Sequence, residues 1–449
     1  MMTKFALTAL SLIFLSSCDT QVDDQTILTT DQYTSVNPEI SKRDFIKNND
    51  NHKVLVAIMD TGVDYNQPLL KDNIHFSLEE GKPVRTGWDL TGNDPWPAPF
   101  VARTNYFNND LSEEENTKSQ KMLEANITLL KEFPELNYFF PIERNAEEES
   151  AEGVDHGTHV AGLASYDSPE IGILPYRVIP MNVSSGYDSF FGALDTASHT
   201  KKFTNILISG LEKAIIDGAR VINMSLGITI ENKDTDQNKN EFENLRTQLT
   251  NLVEANPSVF FVVAAGNDGK WIDGTSISIL PCFIPRPNVI CVSALTKEME
   301  RSSFSNIIKN QEMTTIFAWG EKILSAFPGK SCSSKDLDFS TIATNGDELK
   351  KFGEKALSIC SKNQTLVEMS GTSMASPIIA RKVAKLIAEC PTCSVKEIKD
   401  NLFSKTINSE IDGMQIFKLP IEKPSWYSTK TLNNKNLSTP NWNFFIVRR

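Results

Sequence analysis

The chain has 449 residues, 40% of them hydrophobic, and carries 45 Lys and Arg against 57 Asp and Glu for a formal net charge of −12. That length suits one large domain or two to three small ones, and the apolar share is ample for a core. An acidic balance without basic clusters excludes a nucleic-acid footprint, so no nucleic-acid partner is expected.

At the N-terminus Lys4 precedes an apolar run from Phe5 to Leu15, and Leu15-Ser16-Ser17-Cys18 closes it. The run is too short for a bilayer span, which takes about 20 residues, but it suits a signal-peptide core. Leu-Ser-Ser-Cys resembles the lipobox of bacterial lipoproteins. The resemblance implies a signal peptide over 1–17, lipidation of Cys18, and export with a lipid anchor in the cell envelope. The other reading is an ordinary secretory signal with an incidental cysteine. Residues 18–44, polar and rich in Thr, Asp and Asn, are expected as a tether.

The apolar run 54–59 reads as a buried parallel strand with Asp60 at its carboxyl end, where open α/β sheets place their sites. A 96-position interval separates Asp60 from His156, more than one βα step needs, and an insertion is expected over about 95–150. Within it Ser112 and Glu115 form a capping box, and Leu123, Ile127 and Leu130 share a helical face up to Pro134. Glu147 to Glu149 and Glu152 read as a solvated loop; a calcium site or a subsite for basic substrates are the rarer uses of such a run. Ile206, Leu207, Leu211, Ala214 and Ile215 trace a helix that stops at Gly218, ahead of an apolar strand over 220–227. Phe242, Leu245, Leu249, Leu252 and Val253 trace the next helix, closed by Pro257 before a strand over 259–264. This alternation predicts an α/β fold: a doubly wound, mostly parallel sheet with helices on both faces. The expected body runs over 45–408, followed by a C-terminal extension over 409–449.

Beyond Cys18 six cysteines remain, at 282, 291, 332, 360, 390 and 393. An even count in an exported chain suggests up to three disulfides among 15 pairings. Proximity favours Cys282–Cys291, Cys332–Cys360 and Cys390–Cys393. Cys390-Pro-Thr-Cys393 has a rival redox or zinc reading, but no second ligand pair stands at zinc spacing.

Three stretches carry the chemistry: Asp60-Thr61-Gly62, His156-Gly157-Thr158-His159 and Gly371-Thr372-Ser373-Met374-Ala375-Ser376-Pro377. A serine hydroxyl is a poor nucleophile until a base takes its proton, and an imidazole base works best when a carboxylate fixes its tautomer. Asp-Thr-Gly alone is a weak signal, and the two histidines lack the acidic partner of a metal-binding helix, so His159 reads as structural. The glycine turn before Ser373 puts that serine at a helix start, where free N–H groups and the dipole favour an oxyanion.

Together these motifs resemble the subtilisin-like serine peptidases (subtilases, peptidase family S8), whose order of Asp, His and Ser is the one found here. The likeness extends through Gly157 to Gly162, Gly218 to Gly227, Ala264 to Asn267, Pro287 to Ala294 and Phe304 to Asn306. It implies Ser373 as nucleophile, His156 as base, Asp60 as its orienting acid, and Asn267 with the Ser373 N–H as the oxyanion donors. Ser225, Leu226, Gly227 and Gly266 are then the substrate-binding residues. The implied function is a serine endopeptidase acting through an acyl-enzyme on protein or peptide substrates, expected as a monomer on a membrane anchor. No cofactor is required for that chemistry, and structural calcium is the ion the resemblance allows. The alternative is a catalytically inert binding protein on the same scaffold. The chain departs from the family at Ala318-Trp319-Gly320, where Ala-Pro-Gly is common. It departs again at Arg381, which stands where a glycine lets helices approach, so packing there must differ.

Overall fold

The computed structural model describes residues 53–91 apart from 66, 68, 80 and 81, residue 97, and residues 156–179. It also describes 197–327 apart from 233, 310 and 311, then 346–360, and 366–427 apart from 412 and 413. The signal peptide with Cys18, the tether, the insertion beyond Pro97 and the chain after 427 lie outside these residues.

Nine strands form the main sheet. In chain order they are β1 (Val54–Asp60), β2 (Trp88–Asp89), β3 (Ile171–Arg177), β4 (Val221–Met224), β5 (Phe260–Ala264), β6 (Val289–Leu295), β7 (Thr315–Trp319), β8 (Ile407–Ile411) and β9 (Met414–Lys418). Their spatial order is β8-β9-β7-β6-β5-β4-β1-β3-β2. All pairs are parallel except the β8–β9 hairpin. The expected doubly wound parallel sheet is therefore present, with one antiparallel strand at its edge.

Six α-helices are described, α1 (His156–Ser165), α2 (Ala197–Ile216), α3 (Asp236–Ala255), α4 (Gly346–Cys360), α5 (Thr372–Glu389) and α6 (Val395–Ser404), together with four two-stranded sheets and a short 3-10 turn over Ser425–Tyr427. Because strand side chains alternate, each central strand feeds two cores. Val56 and Ile58 of β1 join the cluster of α1, α5 and α6, while Ala57 and Met59 join the cluster of α2 and α3. Local chemistry sets several helix ends. Thr235 caps α3, and Ser394 with Glu397 forms a capping box on α6. Gly218, after α2, has φ +91°, the left-handed conformation that ends a helix and that glycine adopts without strain.

The chain winds from β1 to β3 on one side, then returns to β4 on the other. The carboxyl ends of β1 and β4 thus flank a topological switch point, where open α/β sheets form crevices. Helix α5 packs across β1, β4, β5, β6 and β7 and against α1, so its N-terminus lies over that point.

Two disulfides are present among the described residues, Cys282–Cys291 and Cys390–Cys393, with Cα separations of 5.1 and 5.4 Å. The first ties the segment after the strand Ile277–Leu280 to β6, and the second staples the turn between α5 and α6. Cys332 lies outside the described residues, and so does the side chain of Cys360.

The boundary expected at 408/409 falls inside the β8–β9 hairpin, and β9 extends the sheet by pairing with β7. The described residues of 409–427 are consequently built into the body. Beyond β9 the chain crosses the C-terminal end of α1 and the middle of α5. Tyr166 Oη donates to the Glu422 carbonyl at 3.1 Å, Trp426 Nε1 donates to the Leu324 carbonyl at 3.0 Å, and Trp426 stacks edge-on against Tyr166. Arg381 belongs to this junction. Its guanidinium lies 3.7 Å over the Tyr166 ring, donates to the Tyr166 carbonyl at 2.7 Å and Ser168 Oγ at 3.0 Å, and pairs with Glu422 at 3.1 Å. The altered packing expected at Arg381 is thus a buried cation that the C-terminal segment neutralises.

Replacing Arg381 by Ala is expected to lower the unfolding free energy by about 2–4 kcal/mol, since it removes stacking and charged hydrogen bonds together. Glu422→Ala should cost about 1 kcal/mol, because that carboxylate is half in water. Equilibrium urea denaturation measures both, and equal small losses would place this junction outside the cooperative unit.

Candidate active site

Asp60 is the last residue of β1 and fully buried. Its Oδ1 accepts from the Thr61 N–H at 2.8 Å and from His156 Nδ1 at 2.7 Å. Nδ1 therefore carries the proton, which leaves Nε2 as the basic nitrogen of the neutral ring. His156 opens α1, and the two segments are locked at their closest approach. Thr61 Oγ1 accepts from Gly157 N at 3.1 Å, and Thr158 Oγ1 accepts from Asp64 N at 2.9 Å. A Cβ on Gly157 would come within 2.1 Å of the Gly62 carbonyl oxygen and 3.1 Å of Asp60 Oδ1. Only glycine lets the acid and the imidazole come this close.

His159, one turn into α1, is wholly buried and its Nε2 donates to the carbonyls of Ile323 and Val367 at 3.0 and 3.2 Å. Burial pushes it down to about 3, so it stays neutral, in the structural role expected for it.

Ser373 lies in the first turn of α5. Its N-cap, Gly371, makes no side-chain cap, and its N–H is held by the Gly320 carbonyl at 2.8 Å. Gly320 allows this, since a Cβ there would lie 2.6 Å from Ala294 Cβ and 2.8 Å from the Gly371 carbonyl oxygen. Pro377, four residues after Ser373, has no N–H to give to the Ser373 carbonyl. Ser225 Oγ supplies that bond at 2.8 Å, and Ser373 Oγ donates to the Ser225 carbonyl at 3.2 Å. Asn223 Nδ2 in turn donates to Ser225 Oγ at 2.9 Å, while its Oδ1 accepts from Ser376 Oγ at 2.7 Å. All four side chains are buried and engaged, as buried polar groups must be.

Asn267 follows β5. Its Oδ1 accepts from Thr372 N at 2.8 Å and Thr372 Oγ1 at 2.9 Å, which fixes the amide with Nδ2 as the remaining donor end. A Cβ on Gly371 would lie 3.4 Å from that Nδ2, so the amide faces the start of α5. Gly266 has φ +93°, donates its N–H to Thr372 Oγ1 at 3.0 Å and accepts from Asn306 N at 3.0 Å. Its main chain holds the loop in place. Leu226 is buried, and the space beside Gly227 is bounded by the strand Ile277–Leu280. A Cβ on Gly227 would meet Ile279 Cδ1 and the Leu280 carbonyl oxygen, each at 3.2 Å.

The fold thus gathers Asp60, His156, Asn267, Ser373 and the 225–227 segment from five separate stretches to the carboxyl ends of β1, β4 and β5. Sequence reasoning missed Thr61, Thr158, Asn223, Ser376, Thr372 and Asn306. Asn223 offered the clearest signal, a polar residue in an otherwise apolar strand; the threonines sit beside glycines inside the motifs. Among the described residues no three His, Cys, Asp or Glu side chains cluster to hold a metal ion.

A model of the subtilase family matches residues 51–439. The chain is 25% identical over 273 residues to Subtilisin DY of Bacillus licheniformis, covering 59% of this chain and 74% of the relative. It is 27% identical over 278 residues to Subtilisin E of Bacillus subtilis (strain 168), covering 60% of this chain and 56% of the relative. Several curated relatives are thus matched over little more than half of their length. Among solved structures, a lanthipeptide protease aligns with TM-score 0.48 at 18% identity, over 86% of this chain and 90% of its own. A cold adapted subtilisin-like serine proteinase aligns with TM-score 0.43 at 19% identity, over 82% and 88%.

Burial of His159 predicts acid lability with a definite sign. Its folded value lies below the ordinary 6.5, so the unfolded chain binds a proton that the folded chain refuses. Stability from this group is complete above pH 6.5 and drains as pH falls toward 3, by up to about 1.4 kcal/mol per unit. Unfolding free energies measured across that window should show the slope, and His159→Gln should reduce it by about one proton.

Proposed function

Because this chain belongs to the subtilase family of serine peptidases, we propose that it hydrolyses peptide bonds as a serine endopeptidase, with Ser373, His156 and Asp60 as its triad. The observation that carries this reading is the 2.7 Å bond between Asp60 Oδ1 and His156 Nδ1, buried at the sheet's switch point beside the N-terminus of α5. Ser373 Oγ attacks the substrate carbonyl, its proton passing to His156 Nε2. Asp60 holds the ring and stabilises the imidazolium without taking the proton itself. The oxyanion accepts from the Ser373 N–H and Asn267 Nδ2, and the α5 dipole favours it further.

His156 then protonates the leaving amine, and water releases the acyl group by the same route in reverse. The 225–227 segment pairs with an extended substrate as an added strand. Its attachment to Ser373 sets the register between the bound peptide and the nucleophile. No described helix is long and apolar enough to cross a membrane. The lipobox-like Leu15-Ser16-Ser17-Cys18 supports a lipid on Cys18 as the anchor, which would place the peptidase in the cell envelope.

A fluorophosphonate probe is expected to label the folded protein at Ser373 and to leave Ser373→Ala unlabelled. Failure to label folded wild-type protein with intact disulfides would favour an inert binding protein on this scaffold. Asn267→Ala should fold normally with kcat reduced by about 10²–10³, the scale established for such a donor in subtilisin. For the anchor, an alkyne fatty acid fed to expressing cells should mark the wild type and not Cys18→Ser; equal labelling of both would remove Cys18 as the lipid site.

A further inference from the structure

We propose that Asn306 is the positioning residue that aims Asn267; the inference rests on the reading of Asn267 as an oxyanion donor. Asn306 is fully buried and touches the loop after β5 on both sides of Asn267. Its N–H donates to the Gly266 carbonyl at 3.0 Å, and its Nδ2 donates to the Ala265 carbonyl at 3.1 Å. Its Oδ1 accepts from Asp268 N at 3.1 Å and Lys270 N at 2.9 Å. Its Nδ2 also lies 3.4 Å from Asp268 Oδ2. The contacts therefore fall on 265, 266, 268 and 270, nearly all through main-chain atoms.

The neighbouring chain templates the same loop. Phe304 accepts from Gly269 N at 2.6 Å, and Lys270 accepts from Ile307 N at 2.9 Å. Gly269 has φ +67°, and a Cβ on it would lie 2.8 Å from the Ser303 carbonyl oxygen. Asn306 is itself fastened to the sheet, because its carbonyl accepts from Ser293 Oγ of β6 at 2.8 Å. Asn306 thus links the loop to β6, alongside the direct bond from Ala265 N to the Val292 carbonyl at 2.9 Å.

An amide is the group this place requires. Its oxygen meets two N–H donors and its nitrogen meets a carbonyl, so a carboxylate lacks the donor and an alkyl group satisfies neither end. Without it the N–H groups of Asp268 and Lys270 and the Ala265 carbonyl lose their partners, and the loop must move to recover them. Thr372 fixes the Asn267 oxygen from the α5 side, whereas Asn306 fixes its backbone from the sheet side. A displacement of about 1 Å at such a donor costs up to about 100-fold in rate.

The test is a double-mutant cycle on the full chain, with Asn306→Ala, Asn267→Ala and both together, each checked for a cooperative thermal transition. Asn306→Ala is expected to lower kcat by about 10- to 100-fold with KM within about twofold. Combined with Asn267→Ala it should lower kcat no further than Asn267→Ala does alone, because both act through one donor. An unchanged kcat in Asn306→Ala, or losses that multiply in the double variant, overturns the proposal while leaving the oxyanion reading intact. An unchanged kcat in Asn267→Ala overturns both. If Asn306→Ala does not fold, Asn306→Ser carries the same cycle with the same expected outcomes.

Discussion

The Ser373 carbonyl cannot make the usual bond to the residue four positions on, because Pro377 stands where the N–H should be, and Ser225 Oγ takes that place at 2.8 Å. Most of the site depends on this substitution of one donor for another. A helix whose first turn lacks a rung is free to pivot about its start, yet the missing rung is supplied by the adjoining strand end. The return bond from Ser373 Oγ to the Ser225 carbonyl makes the link reciprocal. The proposed nucleophile and the proposed substrate strand are therefore one hydrogen-bonded unit. Asn223 and Ser376 brace it one layer deeper, where a water-filled gap would let the two elements slide.

The second half of the site is built by close approach. Asp60 and His156 come from the end of one element and the start of another, 96 positions apart in sequence. Gly157 removes the carbon atom that would hold these segments apart, and Thr61 and Thr158 fasten them with hydrogen bonds; Gly320 and Thr372 do the same for the start of α5 against its neighbours. Each motif pairs a reacting side chain with a glycine for proximity and a hydroxyl for fastening. Low local polarity then strengthens every bond that remains, and it penalises any partner left unmatched.

Farther from the chemistry, Arg381 shows how a local departure is absorbed by the rest of the chain. A cation in place of a small residue would wedge α5 away from α1. Here it lies flat on Tyr166, and Glu422 from the segment after β9 balances its charge. Residues 409–427 thus complete the body in two ways. They complete the β8–β9 hairpin at the sheet edge, and they pack on the end of α1 and the middle of α5, the two helices whose starts hold His156 and Ser373.

Much of the fold was legible in the sequence, since apolar runs ending at Asp60, Ser225 and Asn267 have the length and bounds of buried parallel strands. The intervening periodicities fall on α2 and α3, and Gly218 ends α2 where its left-handed turn requires. The sequence by itself also determined which chemistry was on offer, because an acid, an imidazole and a hydroxyl stand beside glycines at the ends of such elements. The tertiary structure alone decided how they are held. Asn223 reads as an anomaly in an apolar strand until Ser376 is seen across from it, and Asn306 reads as a core residue until the 265–270 loop wraps around it. Arg381 likewise has no visible counter-charge until Glu422 arrives 41 positions later. Periodicity and motif spacing report only what a residue does within its own element. Hydrogen bonds between distant segments depend on where the chain returns, and that is settled by packing.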